Sequence, residues 1–482
     1  MYRAEKIVLT EGIHTETFAL ADRNTRFAKG LYNAALFRLR QSFTGWDKAD
    51  RTDNEKEVFA ELAKLREAYP SLGVRRVLSY GVLEKLMRVT ANPDFFAGLP
   101  MQTAQAVVKA AAGDFSNWLA SLRAYKKDPS RFLGRPRMPR YCKNDKKSFT
   151  VTNQDAVLYP VYKDARGGRI EGRKRAGRNT EDGFVYAGME LKLPGTRSRL
   201  YLPHLPEDAA LKEVKVCPYY RKYVLILVLE VKDPQKSENT PRIAPHMAGI
   251  DLGTDNIAAV VTTDLSSRVY KGGAVLSRNR LFHRDRARAV GSLTKGTKHK
   301  HAFSRHLDFL SEKHDGFVRD NMHKISADII RFCAEHRVGT IVIGTNPLWK
   351  QRTDMGKANN QKFVSVPHAD LRWMITYKAR AAGMTVILQE ESYTSKADVT
   401  SNDPIPVYGS PGAEGTVFSG RRISRGLYRC GDGAVINADC NGAANILRKA
   451  FPDAWDGTED YSFLARPQPV TFQTLNRRRA AV

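Results

Sequence analysis

Cysteine is scarce in this 482-residue chain: five residues, Cys142, Cys217, Cys333, Cys430 and Cys440, with no Cys-x-x-Cys pair among them. That scatter excludes a disulfide framework and a self-contained zinc knuckle, and reduced thiols lead us to expect a cytoplasmic protein. Long apolar runs are also missing. Tyr223 to Leu229 is among the longest, far below the ~20 residues a bilayer span needs, so no membrane partner is expected. The N-terminus, Met1-Tyr2-Arg3-Ala4-Glu5-Lys6, is charged where a secretory leader would be apolar. Negative charge is the third shortage: 51 Asp plus Glu stand against 78 Lys plus Arg, a net +27. Such an excess must be neutralised by counterions or by a polyanion, and nucleic acid is the natural polyanion.

What is present describes a chain that builds cores. Hydrophobic residues make up 42% and charged residues 27%, and the length suits roughly two to four domains. After a short strand at Ile7-Val8-Leu9, the pattern predicts helices over 27–41 and 55–67. An apolar line then runs through Ala104, Val108, Ala111, Phe115, Trp118, Leu122 and Tyr125 behind the helix start at Leu99-Pro100. The stretch Arg131-Phe132-Leu133-Gly134-Arg135-Pro136-Arg137-Met138-Pro139-Arg140 cannot continue a helix and reads as an extended basic connector. Residues 191–202 and 211–231 read as strands, with a turn at Pro218-Tyr219-Tyr220-Arg221. Composition breaks again near 241–245, and strands alternate with helices beyond it, including a helix over 303–336 with Phe303, Leu307, Leu310, Phe317, Ile325, Ile329 and Phe332 on one side.

Carboxylates sit at conspicuous places in that last part. Asp251 lies inside the apolar run Met247-Ala248-Gly249-Ile250-Asp251-Leu252-Gly253, before a return strand at 256–261. A carboxylate there needs a partner, either a divalent cation or, more simply, hydrogen bonds at a turn. Asp439, where a loop enters a helix, is open to reading as an ordinary N-cap. Glu390 and Glu391 close the strand Met384 to Gln389. Brought together on neighbouring strand ends and one helix, such carboxylates would hold Mg²⁺ or Mn²⁺ for phosphodiester hydrolysis.

With these residues on the page, the chain resembles the TnpB family and the compact type V CRISPR effectors. The resemblance rests on Gly249-Ile250-Asp251-Leu252-Gly253, Ile341-Val342-Ile343-Gly344-Thr345-Asn346, Trp349-Lys350-Gln351, Glu391-Ser392-Tyr393-Thr394-Ser395-Lys396 and Asn437-Ala438-Asp439-Cys440-Asn441-Gly442-Ala443, in that order over about 245–450. It implies a multidomain α+β and α/β fold. A β-barrel wedge domain (1–20 and 131–240) would carry an inserted helical recognition domain (21–130). An RNase H-like (RuvC) α/β domain would follow (241–392, and 437–482 with the C-terminal tail), carrying a target-nucleic-acid-binding insert (393–436). It further implies an RNA-guided endonuclease with a guide RNA and double- and single-stranded target DNA as partners; the oligomeric state is left open by the sequence, with a monomer favoured.

Two departures matter. Most TnpB proteins carry Glu where this chain has Gly344, and a subset of the family resembles this sequence in carrying it instead in the Glu-Ser-Tyr-Thr-Ser segment. The resemblance then implies Asp251, Glu391 and Asp439 as catalytic metal ligands, with Glu390 the substitute for Glu391. Many relatives also have a zinc ribbon between 393 and 438, where only Cys430 remains, so no zinc is expected and the insert should be held by packing. Expected nucleic-acid contacts are Arg135, Arg137, Arg140, Lys146, Lys147, Arg278, Arg280, Arg284, Lys295, Lys298, Lys300, Arg421, Arg422 and Arg425. Trp349-Lys350-Gln351 would position a strand, unless Trp349 is a core anchor. Two other functions compete: a nuclease-dead RNA-guided DNA binder that represses transcription, and a guide-independent transposase or resolvase.

Overall fold

The computed structural model describes residues 2–163, 169–171, 185–231, 244–298, 302–346 and 366–480. Lys300, Trp349, Lys350 and Gln351 lie outside the described residues. The chain divides into two compact units, Met1–Ser237 and Glu238–Val482.

In the first unit, strand β1 (Tyr2–Leu9) is followed by helices α1 (Thr15–Gly45), α2 (Asp53–Ala68), α3 (Tyr80–Val89) and α4 (Met101–Lys127). Local chemistry sets the helix starts. Thr52 and Glu55 form a reciprocal capping box on α2, and the Ser79 hydroxyl caps α3. On α4 the stripe Ala104, Val108, Ala111 and Phe115 is buried, and Phe115 and Trp118 meet Phe43 of α1 edge to face at 5.6 and 5.4 Å. The chain then forms β2 (Phe149–Thr152), β3 (Val157–Lys163), β4 (Arg169–Glu171), β5 (Val185–Lys192), β6 (Leu200–Leu202), β7 (Ala210–Tyr219) and β8 (Lys222–Glu230). They form two four-stranded sheets of order β1-β8-β7-β2 and β4-β3-β5-β6. Because β1 pairs with β8, the four helices are inserted between sheet neighbours distant in sequence.

The second unit is built on a six-stranded mixed sheet. Its members are β9 (His246–Asp251), β10 (Asn256–Thr262), β11 (Ser266–Lys271), β12 (Val338–Thr345), β13 (Thr385–Glu390) and, after the insert strands, β17 (Gln468–Val470). The order is β13-β12-β9-β10-β11-β17. Helices α5 (Gly273–Thr294), α6 (Arg305–Glu335), α7 (His368–Ala381) and α8 (Ala438–Ala450) accompany it. Alternate residues face opposite layers. Ala248, Ile250, Ile341 and Ile343 pack with Met322, Ile325 and Ile329 of α6 and Leu371 and Ile375 of α7. Ala259, Val261 and Val342 pack with Ala443, Ala444, Ile446 and Leu447 of α8. A sheet covered on both faces needs nearly continuous apolar strands, hence the runs in the sequence.

Phe303 departs from the expected helix stripe: it is 94% exposed. The Ser304 hydroxyl accepts from the Leu307 N–H and starts α6 one residue beyond it. The insert carries a small sheet of β14 (Arg421–Ser424), β15 (Leu427–Arg429) and β16 (Val435–Asn437). Packing is only part of what holds the insert. The buried Asp398 carboxylate accepts from Thr400 N–H and O–H, Ser401 O–H and Gly431 N–H. Asp403 accepts from Asp398 N–H and from Ser419 N–H and O–H. No described helix is long and apolar enough to cross a membrane.

Candidate carboxylate site and nucleic-acid interface

Strands β9, β12 and β13 run parallel, with Ile250 opposite Ile343 and Thr345 opposite Glu390. Their C-terminal ends therefore bring Asp251, Gly344 and the Glu390–Glu391 pair to one edge of the sheet, where ligand sites form in open α/β sheets. Asp439 enters from above, in the first turn of α8. It is not the cap. Asn437 takes that role, its side-chain oxygen accepting from the Asp439 and Cys440 N–H groups, which leaves the Asp439 carboxylate for other partners.

Charges at this edge act on one another. The Asp251 carboxyl is pushed up to about 8, first by burial and then by Glu391 and Asp439, against the pull of Arg422 and the Leu252 N–H. Glu391 is pushed up to about 7 by burial and by Glu390, eased by Arg372. Two glycines make the room. A Cβ on Gly442 would sit 2.8 Å from Asp251 Oδ2, and one on Gly344 would sit 2.8 Å from Glu391 Oε2 and 2.5 Å from Ile446 Cδ1. The Glu391 carboxylate thus fills the space into which a side chain at 344 would project.

Glu390 is differently placed. Burial works to raise its carboxyl, but Lys449 and Ser392 outweigh it and hold the group below its ordinary value. Lys449 Nζ donates to Glu390 Oε2 at 2.7 Å, and the Ser392 N–H to Glu390 Oε1 at 2.6 Å. Asp439 accepts from Asn256 Nδ2 at 2.6 Å and pairs with Arg422 at 3.4 Å. Among the described residues no three His, Cys, Asp or Glu side chains close into a ready cation cage.

Beside Asp439 opens a groove of about 870 Å³, lined among others by Asp255, Lys271, Arg280, Arg422 and Arg425. Arg425 pairs with Asp255. Of the other expected contacts in this unit, Arg284, Lys295, Lys298 and Arg421 are exposed, and Arg278 lies over the Phe317 ring, 5.7 Å from its centroid. In the first unit Arg135, Arg137 and Arg140 are exposed on the connector. Lys146 is committed internally, 2.8 Å from Asp22 and over the Tyr223 ring, and Lys147 lies 3.7 Å from the centroid of Tyr32. Asn256, Arg372 and Lys449 did not stand out in the sequence. None belongs to a recognisable motif, and only the fold brings them to the carboxylates.

Residues 227–349 match the OrfB family of IS605, described as a probable transposase, and residues 368–446 match the Cas12f1-like TNB domain. A TnpB-like protein, ORF457 of Acidianus two-tailed virus, is 29% identical over 210 residues, and the match covers 42% of each chain. The chain thus spans less than half the length of that relative. Among solved structures, a Cas12f1-sgRNA-target DNA complex aligns with a TM-score of 0.46 at 13% identity, covering 89% of this chain and 82% of that one. C2c1 of Alicyclobacillus acidoterrestris with single-guide RNA aligns at 0.33 and 9%, covering 91% and 71%. Through these matches the chain is related to the TnpB proteins and to proteins that carry the Cas12f1-like TNB domain.

Proposed function

We propose that this chain is an RNA-guided DNA endonuclease that binds a guide RNA and cuts complementary DNA beside a short flanking motif, with Asp251, Glu391 and Asp439 as its cutting carboxylates. The observation that carries the proposal is the gathering of these acids at one sheet edge, with Glu391 in the space that Gly344 leaves open. In this reading the second unit is the RuvC domain (241–392 and 437–482) with its target-nucleic-acid-binding insert (393–436). The first unit is the wedge β-barrel (1–20 and 131–240) around the helical recognition domain (21–130). The family matches and the mixed sheet support the assignment of the second unit, and the helices inserted between the paired strands β1 and β8 support that of the first.

The donor set fits a hard divalent cation, Mg²⁺ or Mn²⁺, because it is all carboxylate and because burial and mutual repulsion make its negative charge costly without one. Asp251, Glu391 and Asp439 would hold it. When bound, such ions supply an activated water and stabilise the leaving oxygen of a phosphodiester. Asn256 orients Asp439 through its amide N–H. Lys271, Arg280 and Arg425 line the groove beside it and would take backbone phosphates of the displaced strand. Sequence is read by base pairing with the guide, and the protein reads only the flanking duplex motif.

The test is cutting of a matched plasmid by the purified ribonucleoprotein with Mg²⁺ or Mn²⁺. Asp251→Ala, Glu391→Ala and Asp439→Ala should each abolish cutting and leave guide RNA bound. Target binding without cutting by the unaltered protein, under every metal condition, would refute the nuclease and favour a repressor. Copurification without any defined RNA species would favour a guide-independent enzyme.

A further inference from the structure

We infer that Lys449 is a positioning residue for Glu391, acting through Glu390, so that the second of the two adjacent acids is the metal ligand and the first is a handle. This rests on the carboxylate site proposed above.

Lys449 lies in the last turn of α8 with its side chain only 7% exposed. Its ammonium meets three acceptors: Glu390 Oε2 at 2.7 Å, the Ser392 carbonyl at 2.9 Å and the Pro406 carbonyl at 3.0 Å. Glu390 in turn accepts the Ser392 N–H at 2.6 Å. The residues on either side of Glu391 are therefore both fixed to one buried cation, and a closed loop of hydrogen bonds surrounds the peptide that carries the Glu391 side chain. A lysine ammonium has three N–H donors, and here each has an acceptor. The neighbouring insert is tied to the same cation through Pro406.

The same helix completes the arrangement. Asp439 is in the first turn of α8, Ile446 packs beside Gly344, and Lys449 closes the last turn. One rigid element thus presents one carboxylate directly and sets another through Lys449 and Glu390. Neutralising Glu390 with Lys449 also lowers the cost of holding two adjacent acids at the end of one strand. Partners that orient ligand groups in this way typically govern metal affinity by ~10–100-fold.

The experiment uses the full chain with its guide RNA and compares Lys449→Met, Lys449→Arg, the double variant Lys449→Met/Glu390→Gln, and Glu391→Ala. Two quantities are read: Mn²⁺ affinity, from free Mn²⁺ by electron paramagnetic resonance, and the Mg²⁺ concentration for half-maximal cutting. Lys449→Met should weaken Mn²⁺ binding and raise the Mg²⁺ requirement by ~10–100-fold with guide RNA binding unchanged, and Lys449→Arg should recover most of the loss. The double variant leaves no unpaired carboxylate where the ammonium was, so it reports on the site if Lys449→Met fails to fold, and it should show the same weakening. Mn²⁺ affinity and Mg²⁺ requirement close to wild type in the folded variant, while Glu391→Ala loses both, would overturn the positioning role and leave the site standing. Mn²⁺ binding that Glu391→Ala does not disturb would overturn the site itself, and this inference with it.

Discussion

Gly344→Ala is the smallest change that tests where Glu391 works. The added methyl would lie 2.5 Å from Ile446 Cδ1 and 2.8 Å from Glu391 Oε2. Ordinary contacts between carbon atoms are ~3.5–4.0 Å, so Ile446 must retreat by about 1 Å and the carboxylate by somewhat less. Overpacking of this kind costs ~1–3 kcal/mol, and for a unit of this size each kcal/mol lowers Tm by ~2–4 °C. Misplacing a catalytic group by about 1 Å costs ~100-fold in rate, so cutting should fall far more than stability. Initial rates on matched plasmid, with guide RNA binding and thermal melting on the same preparations, separate the two. The complementary swap is Gly344→Glu with Glu391→Ala, which moves the acid to the neighbouring strand and removes one of the two side chains it would strike, leaving Ile446 to give way. That double variant should cut faster than Glu391→Ala alone. Cutting by Gly344→Ala within about twofold of wild type, which is no real loss of transition-state stabilisation, would refute the placement of Glu391 in the working site.

Asp398→Ala should loosen the insert. Four donors lose a buried acceptor, a loss of about 3 kcal/mol or more, seen as faster proteolysis within 393–436 at a temperature where the rest of the chain resists. Arg425→Ala should reduce the slope of log affinity for DNA against log salt by about 1, as one lost phosphate contact does. Lys146→Ala is the contrast: both cations pair with an aspartate, but the Lys146 side chain is 23% exposed and packed over Tyr223 whereas that of Arg425 is 71% exposed, so the salt slope should stay put and Tm should fall by the equivalent of about 1 kcal/mol or less. A salt slope lowered by Lys146→Ala would show that this lysine reaches nucleic acid after all.

Much of the second unit was legible because its strands obey strong local rules. The run from Met247 to Gly253 and the β-branched stretch after Asn256 read as a hairpin, and β9 and β10 pair antiparallel as expected. In the first unit the turn expected at Pro218 to Arg221 narrows to Tyr220-Arg221, because Pro218 and Tyr219 still pair with Tyr223 and Lys222 as the end of β7. Helix ends were less legible. The helix expected over 27–41 extends over Thr15–Gly45, because buried Leu20, Ala21, Ala28, Leu31, Ala35 and Leu39 continue one face that the charges between them obscure in the sequence. Lys146 looked like a phosphate contact by composition, and only the approach of Asp22 and Tyr223 reveals its commitment within the fold.

The adjacent acids show most directly where sequence reasoning stops. Neighbouring side chains on a strand point to opposite faces, which would decide between Glu390 and Glu391 if the strand ran on. However, β13 ends at Glu390, and past a strand end alternation no longer dictates direction. What separates the two is long-range: Lys449, 59 residues from Glu390, draws that carboxylate to itself, while Gly344 on the neighbouring strand leaves the space that the Glu391 carboxylate fills. Neither influence has a local signature, since an isolated lysine in a helix end and a glycine in a strand each read as unremarkable alone. The pairing of an absent side chain at 344 with a relocated acid at 391, which the family resemblance implied, gains its geometry only once β12 and β13 are placed side by side. The chemistry proposed for the site therefore depends less on any one motif than on the parallel register that makes those two positions neighbours.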